Sequence, residues 1–277
     1  MKKLLTLVLG AVLFAVSCDS DDDQVDTTAP TITLNEPENG ERFAAGGTLH
    51  FDAVFEDDIA LATYNVDVHN NFDGHSHGRI AVAEFDFEQS YTISGRLFDT
   101  HEDITISTDA TAGPYDFVVK AIDAAGNSTT FTDASSKLVE IWITNEEMAH
   151  VHFQDANGAE VEEFEGEVGT PLQFYGEIED ESGSLEHVTI LFGHGEEAGD
   201  HDHGGRVAED DDHIYEEEFE VEGETSVMIQ DLLANASIVA TQEQLDELEE
   251  GEHLFLTVNV EDEAGNLSEF SIEVHFD

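Results

Sequence analysis

Histidines spaced one residue apart between glycines can gather around a metal ion, and this chain has two such places. The stretch NNFDGHSHGR, from Asn70 to Arg79, brings His75 and His77 together with Asp73, and His69 stands just before it. A second stretch, FGHGEEAGDHDHGGR from Phe192 to Arg206, gathers His194, His201 and His203 with Asp200 and Asp202. Imidazole suits zinc and copper, and three imidazoles completed by a carboxylate or water make a tetrahedral site. In an extended segment residues i and i+2 point the same way, so His75 and His77 can converge while Gly74 and Gly78 permit unusual backbone angles. Neighbouring carboxylates can orient the rings and raise their proton affinity, so metal uptake should weaken as pH falls. Calcium or magnesium would prefer oxygen ligands and leave the histidines unused. The competing reading is plain: Gly, Asn, Asp, Ser and His are ordinary residues of exposed turns, and a duplicated loop can be inherited without any ligand.

The segments that carry these loops have the period of strands. Apolar residues alternate with polar ones at Phe51, Ala53 and Phe55, at Val66 and Val68, and at Ile272, Val274 and Phe276, which predicts strands with one face in a core. The pattern occurs twice. YDFVVKAIDAAGNSTTF (115–131) matches LFLTVNVEDEAGNLSEF (254–270), and GTLHFDAVFEDD (47–58) matches GTPLQFYGEIEDE (169–181), in the same order. Two tandem domains follow, residues 28–145 and 146–277, each of the size of an immunoglobulin-like sandwich. Helical signals are confined to TQEQLDELEEG, where Thr241 and Gln244 form a capping box and Leu245 and Leu248 lie three apart.

The AIDAAGN and VEDEAGN turns and the opening DTTAPTI resemble bacterial immunoglobulin-like extracellular modules. In such turns Asp123, Asn127, Asp262 and Asn266 are structural, with calcium as the lesser alternative. Other histidines read as incidental: His50 on an outward strand face, His101 and His253 in connecting segments, and His187 and His213 flanking the second loop. His150 and His152 share one strand face, which His275 can approach if the first and last strands of the second domain pair. Trp142 lies close to the domain junction, with burial in the first core as the expectation.

Lys2 and Lys3 before the apolar run Leu4 to Val16 have the layout of a secretory signal, too short to span a membrane as a helix. The following AVSCDSDDD resembles a bacterial lipobox, with Ala15 where that pattern prefers Leu. By that resemblance residues 1–17 are a lipoprotein signal peptide, Cys18 becomes the lipidated N-terminus, and 18–27 form an acidic tether. The run Asp19 to Asp23 resembles the export signal of Bacteroidota surface lipoproteins, implying an outer-membrane, cell-surface location. Cys18 is the one cysteine, so neither disulfides nor thiolate ligands are available. Eight basic against 65 acidic residues give a net charge of −57, which repels nucleic acid and anionic lipid. Such acidity also suits a surface protein in salty water.

With its FDGHSHG stretch the chain resembles a family of Bacteroidota surface lipoproteins of unknown function built on an immunoglobulin-like domain. The likeness covers the first domain closely and the second loosely. No nucleophile elbow, His-Glu-x-x-His or phosphate loop is present, so the chain is not expected to be an enzyme. Two classes remain: a surface lipoprotein that captures zinc or copper through His69, Asp73, His75, His77, His194, Asp200, His201 and His203, buffering it or passing it to an outer-membrane transporter; or a structural or adhesive module, in one version a calcium-stabilised spacer. A fold of this kind does not choose between them.

Overall fold

A computed structural model of the chain describes residues 26–72, 85–132, 135–196, 206–207, 213–248 and 252–276. Cys18, Asp73, His75, His77, Asp200, His201 and His203 lie outside those residues. The described part is all-β, as expected from its alternation.

In the first module β1 (Thr31–Glu36), β3 (Thr48–Glu56) and β6 (Leu97–Thr105) form one antiparallel sheet in the order β1-β3-β6. The facing sheet runs β2-β8-β7-β4-β5, from β2 (Arg42–Ala44), β4 (Leu61–Asn70), β5 (Phe87–Thr92), β7 (Gly113–Asp123) and β8 (Lys137–Thr144). β2 lies parallel to β8, so the incoming chain starts in one sheet and crosses to the edge of the other.

The second module repeats this. β9 (His150–Gln154), β11 (Tyr175–Glu179) and β15 (Ser226–Met228) form the order β15-β11-β9. The larger sheet runs from β10 (Glu163–Gly166) through β17 (Leu267–Phe276) and β16 (Glu252–Asp262) to β12 (Leu185–Glu196). Both β13 (Arg206–Val207) and β14 (His213–Glu220) pair with the far side of β12. β10 is parallel to β17, as β2 is to β8. Between β15 and β16 the second module adds two short helices, α1 (Ile229–Leu232) and α2 (Gln242–Asp246), the latter with the expected Thr241–Gln244 capping box.

Period-two burial makes both cores. Leu49, Phe51, Ala53 and Phe55 on β3 meet Tyr64, Val66 and Val68 on β4 and Phe117, Val119 and Ala121 on β7. Val188, Ile190 and Phe192 on β12 meet Leu256, Val258 and Val260 on β16 in the other core. Tyr64 is stacked between Phe55 and Tyr91, each 4.6 Å away centroid to centroid. Burial pushes its hydroxyl up to about 12.

Candidate functional site

The first histidine stretch lies in sequence between the end of β4 and the start of β5. Its two described ends share one seat. Phe72 and Phe85 both pack edge-on against Tyr115, at 5.4 and 6.3 Å between ring centroids. The buried Tyr115 hydroxyl donates to the Thr111 carbonyl at 3.0 Å and accepts from the Phe85 N–H at 3.3 Å. Gly113, at φ +147, makes room: a Cβ there would lie 2.3 Å from the Phe72 ring.

Inward Val68 fixes His69 on the outer face of the sheet, where it is exposed. There its Nδ1 lies 3.2 Å from Asp67 Oδ1 and its Nε2 3.8 Å from Asp116 Oδ2. Burial pushes the Asp116 carboxyl up, against the pull of the His69 charge, with Glu140 and Asp67 adding to the rise. His69 is thus a ring held between two carboxylates at the root of the loop.

His194 is placed differently. It continues the inward series Val188, Ile190 and Phe192, so it lies on the core side of β12. The registers make this explicit: Tyr64 faces Ala121 and Val188 faces Val260, which aligns His69 with Gly193 and His194 with Asn70. The two histidines that look like counterparts in sequence therefore occupy opposite faces.

Several remaining histidines also differ from the sequence reading. His101 and His253 are within strands β6 and β16, not in connections. His101 lies between Asp52 (3.0 Å) and Asp99 (3.5 Å), beside His50, whose Nδ1 is 2.8 Å from Asp103 Oδ1. His253 Nδ1 meets Glu273 Oε1 at 2.6 Å. The β9 strand pairs with β11 and the last strand with β10 and β16, so His275 faces Glu165 in the other sheet from His150 and His152. The outer face of the first module's larger sheet also exposes Leu138, and nearby Phe131 lies 4.8 Å beneath the Lys120 ammonium.

The feature that sequence reasoning missed is a joint between modules. Asn266, in the second AGN turn, accepts from the Ala112 N–H at 2.9 Å and from the Asn145 amide at 2.8 Å. Leu267 N–H returns a hydrogen bond to the Ala112 carbonyl at 2.9 Å, and the Leu267 side chain packs against the first core. The Asn145 amide reaches the Ala110 carbonyl, and Arg42 Nη2 donates to the Glu269 carbonyl at 3.0 Å. Trp142 is buried, as expected, but outside the first core cluster: Ile141 and Ile143 take the inward positions, and its ring lies on the other side of the sheet with the Arg42 guanidinium 5.3 Å away. The signal available in sequence was Asn145, which stands five residues before β9 as Asp26 stands five before β1.

The two AGN turns have the same wiring but different electrostatics. Asp123 Oδ1 accepts from the N–H groups of Ala125, Gly126 and Asn127, and its Oδ2 from the Asn127 amide. Burial pushes this carboxyl up, but those hydrogen bonds outweigh it and hold it below the ordinary range. At Asp262 burial pushes up more strongly than the Asn266 hydrogen bonds pull down, Asp180 adds repulsion, and the carboxyl is raised. The difference is what a turn at a joint experiences. The Asp123 carboxylate takes these hydrogen bonds from its own turn, while the Asn127 amide also donates to the Asp26 carbonyl at 3.2 Å.

A family model described as a domain of unknown function, DUF4625, matches residues 16–138, which include the first module through the start of β8. No curated protein is significantly similar to the chain. Among solved structures, the chain is similar to fibronectin(III)-like modules of Clostridium thermocellum CbhA, at 14% identity and TM-score 0.27, covering 89% of this chain and 94% of that one. The sialic acid binding region of a Streptococcus sanguinis SK1 adhesin shares 14% identity at TM-score 0.30, with 91% and 78% covered. A chimeric titin Z1Z2 tandem shares 9% identity at TM-score 0.29, with 89% and 99% covered.

Proposed function

We propose that the chain is a non-enzymatic surface spacer, two sandwiches held end to end by a fixed joint and anchored to the outer membrane through Cys18, with a structural or adhesive role. The observation that carries this reading is the Asn266 side chain of one module completing the backbone hydrogen bonding of the other at Ala112. Modules joined only by a flexible linker default to relative motion; a buried, hydrogen-bonded contact opposes it, because opening leaves polar groups to be resolvated. In small-angle scattering the native chain should behave as one fixed two-module particle, and Asn266→Ala should widen the range of inter-module arrangements. A native profile that only a freely articulated pair can fit would overturn the reading.

A second reading is supported by His69. Its ring stands between Asp67 and Asp116 at the root of a loop whose ends are both seated on Tyr115. Such carboxylates orient a metal-ligating imidazole through its second nitrogen. In this reading His69, Asp73, His75 and His77 take zinc or copper, and the second loop, with His194 on the other sheet face, forms a different site or none. Titration of the native chain beside His75→Ala with His77→Ala decides it: loss of one equivalent of bound metal supports the site, and equal uptake removes it.

A further inference from the structure

The opposite pole of the first module carries a different set of donors. Asp26, Asp57 and Asp58 each bring one carboxylate oxygen within 4.8 Å of the others. Asp57 closes β3 and turns the chain toward β4, its Oδ1 accepting from the Ile59 and Ala60 N–H groups at 2.9 and 2.5 Å. Its Oδ2 is buried with no hydrogen-bond partner among the described residues, and the residue as a whole is 8% exposed. A buried carboxylate oxygen left without a donor or cation is costly, and here two further carboxylates add repulsion rather than relief. Arg96 donates to the Asp57 carbonyl oxygen at 3.5 Å.

The donors are all oxygen, which selects a hard cation over zinc or copper. Calcium holds oxygens at about 2.4 Å, so two ligands on opposite sides of it stand about 4.8 Å apart. The three aspartates fall inside that shell. The corresponding place in the second module is built otherwise. Asp180 occupies the position of Asp57 and its Oδ1 takes the same two backbone donors, here the Ser182 and Gly183 N–H groups, but it also takes the Ser182 hydroxyl, where the Asp57 turn has the apolar Ile59. Neutral Asn145 stands in the place of Asp26 and donates to Asn266 and Ala110. One pole is closed by amides against a neighbouring module; the other gathers negative charge where the chain enters.

We infer that Asp26, Asp57 and Asp58 form a calcium site that staples the segment preceding β1 to the pole of the first module. The site sets the direction in which the chain leaves toward its N-terminal segment, and it is independent of the joint at Asn266. Calorimetric titration of the full chain with calcium, in about 0.15 M KCl to screen diffuse charge, tests it. The native chain should show one saturable site with a Kd on the order of 0.1 to 1 mM, the range of extracellular modules. Asp26→Asn with Asp58→Asn leaves the Asp57 turn intact and should weaken it at least about tenfold, as expected when two of its charged ligands become neutral. The charge-matched control Glu88→Gln with Glu218→Gln, at exposed strand positions far from the site in sequence, should bind like the native chain. No saturable uptake by the native chain, or equal weakening in both variants, would overturn the inference.

Discussion

The side-chain oxygen of Asn266 lies 2.9 Å from the backbone nitrogen of Ala112, a residue of the other module 154 positions earlier in the chain. Both residues are buried. A turn that closes a hairpin in its own module thus also serves as a peg for its neighbour.

Asn266→Ala should therefore cost more than a surface change. It leaves the Ala112 N–H without its side-chain acceptor, takes from the Asn145 amide one of its two acceptors, the Ala110 carbonyl being the other, and removes the donor to Asp262 Oδ2 at 2.8 Å. The expected loss is about 1 to 3 kcal/mol, the range for stranding a buried polar group, read by chemical denaturation. Asn127→Ala, in the first turn, should disturb the first module without loosening the joint.

The two turn aspartates should titrate in opposite directions, which carboxyl NMR can follow. Asp123 has a folded value below its unfolded one, so its stabilisation is complete above the unfolded value and is lost as pH falls through the folded one. Asp262 has a folded value above its unfolded one. Its contribution is present below the unfolded value and lost as pH rises through the folded one. Acid should then weaken the first turn while relieving the buried charge at the joint.

On the outer face of the smaller sheet, the Asp103 hydrogen bond raises the His50 imidazole above its ordinary value, burial lowers it, and Glu36 and Asp52 add to the rise. The contribution of this pair is full below the unfolded histidine value and disappears as pH rises through the folded one. Asp103→Asn should shift the His50 ring titration toward lower pH in NMR, and an unchanged midpoint would remove Asp103 as the cause.

Gly113→Ala should be among the most damaging single-methyl changes. The added carbon would meet the Phe72 ring at 2.3 Å and face a φ of +147, and overpacking alone costs about 1 to 3 kcal/mol. Denaturant midpoints would report it, and displacement of Phe72 should also weaken the metal uptake proposed for Asp73, His75 and His77.

Much of this was legible in the sequence, and the misses have physical causes. Alternation at Phe51, Ala53 and Phe55 and the repeated Asp-x-x-Gly-Asn turns announce two sandwiches because burial with period two and a closed Asx turn are local events. Strand β6 stayed hidden because its inward positions include Thr100 and Glu102, polar residues that meet the buried Tyr64 hydroxyl at 3.3 and 3.4 Å. In sequence His101 consequently reads as part of a connecting segment. The equivalence of His69 and His194 failed by one position, and in a strand one position is the other face. The joint was invisible because Asn266 has one identity and two roles, and the second depends on which surface the next module presents.

Anchoring through Cys18 has its own check. Cys18→Ser should abolish incorporation of labelled fatty acid and release the protein from the membrane fraction; retention of both would remove the lipid anchor from the proposal.

The fixed joint is tested most directly by a distance across it. Spin labels at Glu88→Cys on β5 and Glu218→Cys on β14, in a Cys18→Ser background, give the separation of the two modules by pulsed electron resonance. One narrow distance distribution in the native chain, broadened by Asn266→Ala, is the predicted result. A broad distribution already present in the native chain, unaltered by that substitution, would contradict it.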